Sequence, residues 1–265
     1  MRIPVQVAGE TSVGQKRNHN EDTFSIIEEE NLFVVCDGMG GHASGEVASQ
    51  MAVETIKNFC KDTRDDPEVT WPYKMDRARQ YEENRLVTAI KYANVRIFEA
   101  AKIEPKYHGM GTTITALYFV ESGVYRAHVG DSRIYRLREG RFQQISVDHS
   151  LLNDYIKMKK LSPQEIASFP HKNVIVRALG MKESVKVDVE FEVPQRDDIY
   201  LMCSDGLTDE VKDARMGEIL MENGPDIQTA CHTLIEEANA NGGHDNITCV
   251  LVRVPLTLTG VPLTR

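Results

Sequence analysis

Leu32-Phe33-Val34-Val35-Cys36-Asp37-Gly38-Met39-Gly40-Gly41-His42 sets an apolar run directly against a carboxylate and a glycine turn. A run of this length bounded by turn residues reads as a strand buried on both faces, with Asp37 delivered to a site at its end. Gly38, Gly40 and Gly41 let the backbone come close to a guest, and a phosphate group or a metal ion is the natural one. Taken alone, the same Asp-Gly step reads equally as a hairpin turn.

The pattern recurs. Ile199-Tyr200-Leu201-Met202-Cys203-Ser204-Asp205-Gly206-Leu207-Thr208-Asp209 is again an apolar run ending in Asp-Gly. Gly243-His244-Asp245-Asn246 precedes the apolar run Ile247 to Val254, and Val129-Gly130-Asp131-Ser132-Arg133 joins two strand-like runs. Arg17-Asn18-His19-Asn20-Glu21-Asp22 places a cation and two acids ahead of another run, Thr23 to Ile27. Carboxylates set repeatedly at strand ends, without a matching set of His or Cys, form the oxygen-rich donor set that hard ions such as Mg²⁺ or Mn²⁺ prefer.

In this order, Arg-x-x-Asn-Glu-Asp, Asp-Gly-Met-Gly-Gly-His, Gly-Asp-Ser-Arg, Ser-Asp-Gly-Leu-Thr-Asp and Asp-Asn-Ile-Thr resemble the metal-dependent protein serine/threonine phosphatases, the PPM family of type 2C, and its bacterial branch in particular. The resemblance runs from about Val5 to Val254. It implies an α+β fold, a four-layer αββα sandwich of two stacked antiparallel sheets flanked by helices.

Composition agrees with a large globular domain. The 265 residues suffice for one substantial core, and 41% apolar with 27% charged residues is ordinary for a soluble protein. We expect one catalytic domain over 1–255 and a short tail over 256–265. A net charge of −9 argues against nucleic acid as the main partner, since that needs clustered Lys and Arg. Cys36, Cys60, Cys203, Cys231 and Cys249 are odd in number and mostly within apolar runs, so they read as small core residues in a reducing cytoplasm. Neither a signal peptide nor an apolar run of about 18 residues is visible, so no membrane span is expected.

Along the chain, strands are expected at Val5 to Ala8, Thr23 to Ile27 and Leu32 to Asp37. Ser44 caps a helix whose Val47, Ala48, Met51, Ala52, Ile56 and Phe59 fall at helical spacing. From Lys61 to about Arg85 the periodicity is lost among charges, Pro67, Pro72 and the lone Trp71, which reads as a surface excursion outside the core. Leu86, Ala89, Ile90, Ala93, Ile97 and Ala101 then mark a second long helix. Thr112 to Val120, Val124 to Val129, Ser132 to Leu137 and Phe142 to Ile145 form strands joined by turns short enough to require antiparallel neighbours. Asp148 opens a helical stretch to Lys160, and Ser162-Pro163-Gln164-Glu165 has capping-box spacing with proline at the first helical position. The segment 149–180 resembles the mobile flap beside the active site of bacterial family members. Strands at Val185 to Val193, Asp198 to Cys203 and Asn246 to Val254, and a helix capped by Asp226, complete the pattern.

The resemblance also implies roles. Asp37 bridges two Mn²⁺ or Mg²⁺ ions, the Gly38 carbonyl is a ligand of the first, and Asp205 and Asp245 complete the second. Asp131, shared with Asp205, is the ligand of a third, weaker ion; its plain alternative is a turn aspartate capping its own backbone. Glu21 and Asp22 accept hydrogen bonds from metal-bound waters. Arg17 clamps the phosphate, since a planar guanidinium pairs two oxygens at once; its alternative is an ion pair with Glu21. Met39 stands where eukaryotic members have a histidine, which leaves the leaving group's proton donor unassigned. His42, His19 and His244 are read as structural or solvated.

The function implied is hydrolysis of phosphoserine and phosphothreonine in proteins by a metal-activated water, without a phosphoenzyme. The expected setting is signalling opposite a serine/threonine kinase, as a cytoplasmic monomer. A phosphatase of small phosphate esters, or a binding module that has lost catalysis, are the competing readings; the intact Asp37, Asp205, Asp245 and Arg17 speak against the second.

Overall fold

A computed structural model describes residues 3–40, 44–66, 68–159, 165–166, 169 and 174–255. Strands β1 (Gln6–Ser12), β2 (Asp22–Ile27) and β3 (Leu32–Met39) come first, followed by helices α1 (Ser44–Asp65) and α2 (Tyr81–Ile103). The strand-rich middle holds β4 (Gly111–Thr112), β5 (Ile114–Val120), β6 (Gly123–Val129), β7 (Arg133–Arg138) and β8 (Arg141–Gln144). Then come α3 (Leu151–Lys159), β9 (Asp188–Glu192), β10 (Ile199–Cys203), the short α4 (Asp205–Thr208), α5 (Asp213–Asn223), α6 (Ile227–Asn241) and β11 (Ile247–Arg253). The strands pair antiparallel in two sheets, β1-β11-β10-β7-β8 and β2-β3-β5-β6-β9, with β4 beside the end of β3.

The expected four layers follow from the two-residue period of the buried strands. In β3, Leu32, Val34 and Cys36 pack on α1 and α2, while Phe33 and Val35 point the other way, into the gap between the sheets. In β10 and β11, Tyr200, Met202, Val250 and Val252 meet them there, and Leu201, Cys203, Cys249 and Leu251 pack on α4, α5 and α6. Apolar layers thus separate helices, sheet, sheet and helices. Phe119 joins the inner layer, with its ring 6.1 Å from Phe33 and 5.7 Å from Tyr200. Burying a side chain of this size contributes about 1.5–3 kcal/mol. The helix capped by Asp226 is as expected, with the carboxylate accepting from Thr229 N at 3.1 Å.

The outer layer is tied to its sheet by a polar cluster. Arg85 Nη1 donates to Glu30 Oε2 at 2.8 Å and to Tyr118 Oη at 2.9 Å, and Arg85 Nε donates to Thr63 Oγ1 at 2.8 Å. Glu30 and Arg85 are both buried.

Several boundaries differ from the sequence reading. β1 runs on to Ser12 because its whole length pairs with β11. Helix α1 continues to Asp65, so the excursion is shorter than 61–85, and Trp71 is not outside the core: its ring lies 5.6 Å from Phe59 and 5.4 Å from Tyr81. Aromatic packing overrides the polar composition of its neighbours. Helix α5 has little signal in the sequence, because Met216, Ile219 and Leu220 are a short apolar stripe among charges. Of the segment 149–180, α3 is as expected, and the two ends are joined by Leu151 N to Val174 O at 2.8 Å and Val176 N to His149 O at 2.9 Å. The capping residues Ser162 to Gln164, Pro170, His42 and the tail 256–265 lie outside the described residues.

Candidate active site

Antiparallel pairing explains why acids far apart in sequence meet. Asp22, which opens β2, lies opposite Asp37 near the end of β3. In the other sheet Cys203, at the end of β10, lies opposite Cys249 of β11 and Arg133 of β7. Asp205 follows β10, Asp245 precedes β11 and Asp131 precedes β7, so all of them fall at one edge of the stacked sheets.

Hydrogen bonds lock this edge together. Ser204 Oγ donates to Asp22 Oδ2 at 2.7 Å across the two sheets and accepts from Thr248 N at 3.0 Å. Asn246 pins the loop carrying Arg17 and Glu21: its Nδ2 donates to Val13 O and His19 O, each at 3.0 Å, and its Oδ1 accepts from Glu21 N at 2.8 Å. Asp37 N donates to Thr113 Oγ1 at 3.0 Å, and the Thr113 hydroxyl lies 2.6 Å from that of Ser132. Gly38 must be glycine, because a Cβ there would meet Gly45 O at 2.1 Å and Glu21 O at 2.5 Å. This contact brings the first turn of α1 against the end of β3, where the Gly45 N–H bonds the Glu21 carboxylate.

The carboxylates are strongly perturbed. Burial, then repulsion from Asp22, Asp205, Asp131 and Asp245, holds Asp37 well above the usual carboxylate range. Burial lifts Asp22 to about 7, against hydrogen bonds from Ser204 and Thr248. Asp131 is lifted to about 7 by burial and then Asp205, and Asp205 to about 6 by burial and then Asp209 and Asp245. Glu21 is raised too, chiefly by burial. Each negative charge makes the others less favourable, which a cation would reverse.

The donor set fits hard divalent ions: it is all oxygen, and Asp131 Oδ1 is buried without a hydrogen-bond partner. It is not a closed cage. Among the described residues no group of three or more His, Cys, Asp or Glu side chains is already arranged around one ion. Asp245 shows one reason, since its Oδ1 accepts from Asn246 N and its Oδ2 from Arg17, both at 2.7 Å.

Of the residues singled out from sequence, Asp22, Asp37, Asp131, Asp205 and Asp245 lie within electrostatic reach of one another, and Glu21 and Gly38 pack beside them. Arg17 pairs with Asp245 and not with Glu21, and its side chain is 48% exposed. His244 turns to Glu210, with Nδ1 2.6 Å from Oε1. Ser204, Asn246 and Thr113 were missed as supports; their signal was only a hydroxyl or amide beside an acid or at a strand end. Also missed was a cleft of about 480 Å³ that runs from Asp131 and Asp205 toward α3, with Asp209, Asn153 and the Arg133–Asp148 pair on its walls. Arg133 Nη2 lies 2.8 Å from Asp148 Oδ2.

A family model described as protein phosphatase 2C matches residues 11–222. The serine/threonine phosphatase stp of Listeria monocytogenes is 37% identical over 254 residues, covering 94% of this chain and 96% of that protein. The crystal structure of the Mycobacterium tuberculosis serine/threonine phosphatase PstP/Ppp superposes with a TM-score of 0.80 at 33% identity, covering 95% of this chain and 99% of that one. A structure of the PstP catalytic domain in complex with two manganese ions superposes with a TM-score of 0.75 at 31% identity, covering 95% and 98% of the two chains.

Proposed function

The chain belongs to the protein phosphatase 2C family and is a serine/threonine phosphatase, and we propose that it hydrolyses phosphoserine and phosphothreonine in proteins with two divalent ions, Mn²⁺ or Mg²⁺, held where Asp37, Asp205 and Asp245 meet. One observation carries this reading: mutually repelling carboxylates from separate segments, buried or half-buried, are gathered at the edge of the stacked sheets. Related PstP carries two manganese ions.

Asp37, the Gly38 carbonyl, Asp205 and Asp245 would hold the two ions, and Asp131 with Asp205 would hold a third, weaker one. Bound there, the ions supply an activated water and positive charge against the phosphate oxygens. Glu21 and Asp22 orient water by accepting its hydrogens. Arg17 pairs phosphate oxygens. Its bond to Asp245 is exposed and therefore weak, so the guanidinium exchanges readily to a substrate. The Ser204 hydroxyl is committed to Asp22 and is not poised as a nucleophile, and water as the phosphoryl acceptor, without a phosphoenzyme, belongs to the same reading. Met39 carries no titratable proton, so it does not protonate the leaving group. A signalling role opposite a serine/threonine kinase, a monomeric state and a cytoplasmic location belong to the same reading. Five free, buried cysteines support a reducing compartment. Among the described residues no helix is long and apolar enough to cross a membrane.

The test is phosphate release from a phosphothreonine peptide and from a panel of sugar phosphates, with Mn²⁺ and with excess chelator. The peptide is expected to be hydrolysed in Mn²⁺ alone. Full activity in chelator, or turnover confined to the sugar phosphates, overturns the proposal.

A further inference from the structure

Gly130, the residue before Asp131, is held from several sides. Its φ of +116° excludes ordinary residues, and a Cβ there would meet Thr113 Cγ2 at 2.6 Å. Its carbonyl accepts from His149 N at 2.7 Å and from His128 Nε2 at 2.9 Å. Its N–H donates to His149 Nδ1 at 3.0 Å. That bond leaves the ring proton on Nε2, which faces Asp188 Oδ2 at 3.0 Å. Arg177 Nη1 sits 2.9 Å from the same ring nitrogen and donates to Asp188 Oδ1 at 2.9 Å and to Lys186 O at 3.2 Å. The His128 ring packs on His149 at 4.2 Å.

His149 is 2% exposed and stands at the start of the segment 149–180, while Arg177 stands near its end. One imidazole therefore joins three parts of the molecule: the loop that carries Asp131, the base of this segment, and β9 through Asp188. Core packing alone does not require both ring nitrogens to be used, one on each side.

We infer that His149 is a positioning residue for hydrolysis: through the Gly130 N–H it fixes Asp131, and through Asp188 and Arg177 it makes that placement depend on the base of the 149–180 segment. The inference rests on the reading of Asp131 as an ion ligand. Removing the partner that orients such a ligand lowers metal affinity or activity by about 10- to 100-fold. His149 makes no contact with the substrate in this role; it acts through Asp131.

Conservative variants separate positioning from packing. In His149→Asn the amide oxygen replaces Nδ1 as acceptor for Gly130, whereas His149→Gln retains a donor toward Asp188 and loses that acceptor. Turnover of a phosphothreonine peptide, its Mn²⁺ dependence and the unfolding midpoint are measured for both, for Asp131→Asn and for the double variant Asp131→Asn/His149→Gln. The expected result is a loss of about tenfold or more in kcat for His149→Gln, with a raised Mn²⁺ requirement, and a clearly smaller loss for His149→Asn, which keeps the Gly130 bond and gives up only the Asp188 side. The double variant is expected to lose no more than Asp131→Asn alone, because both act through one ligand. Wild-type turnover in His149→Gln, equal losses in Gln and Asn that track the unfolding midpoint, or additive losses in the double variant overturn the inference and leave the Asp131 reading standing. An unimpaired Asp131→Asn overturns both.

Discussion

The Ser204 hydroxyl donates to Asp22 Oδ2 at 2.7 Å, and this bond joins the strand-end acid of one sheet to the turn that follows β10 in the other. Asp22 is buried, and its other side-chain donor is Thr248. Ser204→Ala strips Asp22 of a donor and Thr248 N of its acceptor. The expected cost is about 1–3 kcal/mol of folding stability, read from the urea midpoint. An unchanged midpoint would show that the two sheets are held at this edge by other contacts.

Arg85 and Glu30 form a second buried tie, between the outer helices and the sheet. Arg85→Ala takes from Glu30 its buried cationic partner, while Arg64, 3.3 Å away, is partly exposed, and should cost about 3–5 kcal/mol. Replacing Glu30 and Arg85 together by Met should cost markedly less than the Arg85→Ala loss, because no charge is left buried. Chemical unfolding of both variants decides it; a double variant as unstable as the single one would mean that packing, and not charge, is lost.

His128 gives the fold an acid-sensitive group beside the loop that carries Asp131, opposite Asp188 of β9. Burial, with the His149 ring beside it, lowers its pKa from 6.5 to about 4. The unfolded chain therefore takes up a proton first as pH falls, and stability is full above 6.5 and declines toward 4. At about 1.4 kcal/mol per pH unit, the whole window amounts to about 3 kcal/mol. Burial lowers the His149 pKa in the same direction. His128→Gln, which keeps a donor for Gly130 O, should flatten the slope of stability against pH in this window; an unchanged slope would assign it to other groups.

Repulsion around Asp37 predicts that activity and metal-free stability move in opposite directions. In chelator, Asp37→Asn removes a carboxyl whose ionisation burial and the neighbouring acids oppose, and should raise the unfolding midpoint. Added Mn²⁺ should stabilise the wild type by about 2.7 kcal/mol at a hundredfold excess over Kd, and the variant by much less. Scanning calorimetry with and without Mn²⁺ reads both effects. A variant stabilised as strongly as the wild type would remove Asp37 from the ion site.

Asp37, Asp205 and Asp245 were legible in the sequence as a set, because each borders an apolar run, whereas any one Asp-Gly step alone reads equally as a turn. The layers were legible for a similar reason: Leu32, Val34 and Cys36 alternate with Phe33 and Val35, and both sets are apolar, which requires a cover on each face. Arg17 could be tied to the acids only as a group, since its partner Asp245 is 228 positions away and nothing local favours it over Glu21. Ser204, Thr113 and Asn246 gave little local signal of their support roles, because a single hydroxyl or amide is compatible with any turn. The double use of His149 was invisible for the same reason: its partners Gly130, Asp188 and Arg177 are brought to it by strand pairing and by the closure of the 149–180 segment.

Hydrolysis of a phosphothreonine peptide by Asp37→Asn and Asp205→Asn, at saturating Mn²⁺ and with folding verified by circular dichroism, tests most directly whether these carboxylates hold the ions on which the reaction depends. Each substitution should remove several kcal/mol of transition-state stabilisation, a loss of about a thousandfold in kcat/KM. Near-wild-type turnover in either folded variant would contradict the assignment of that carboxylate.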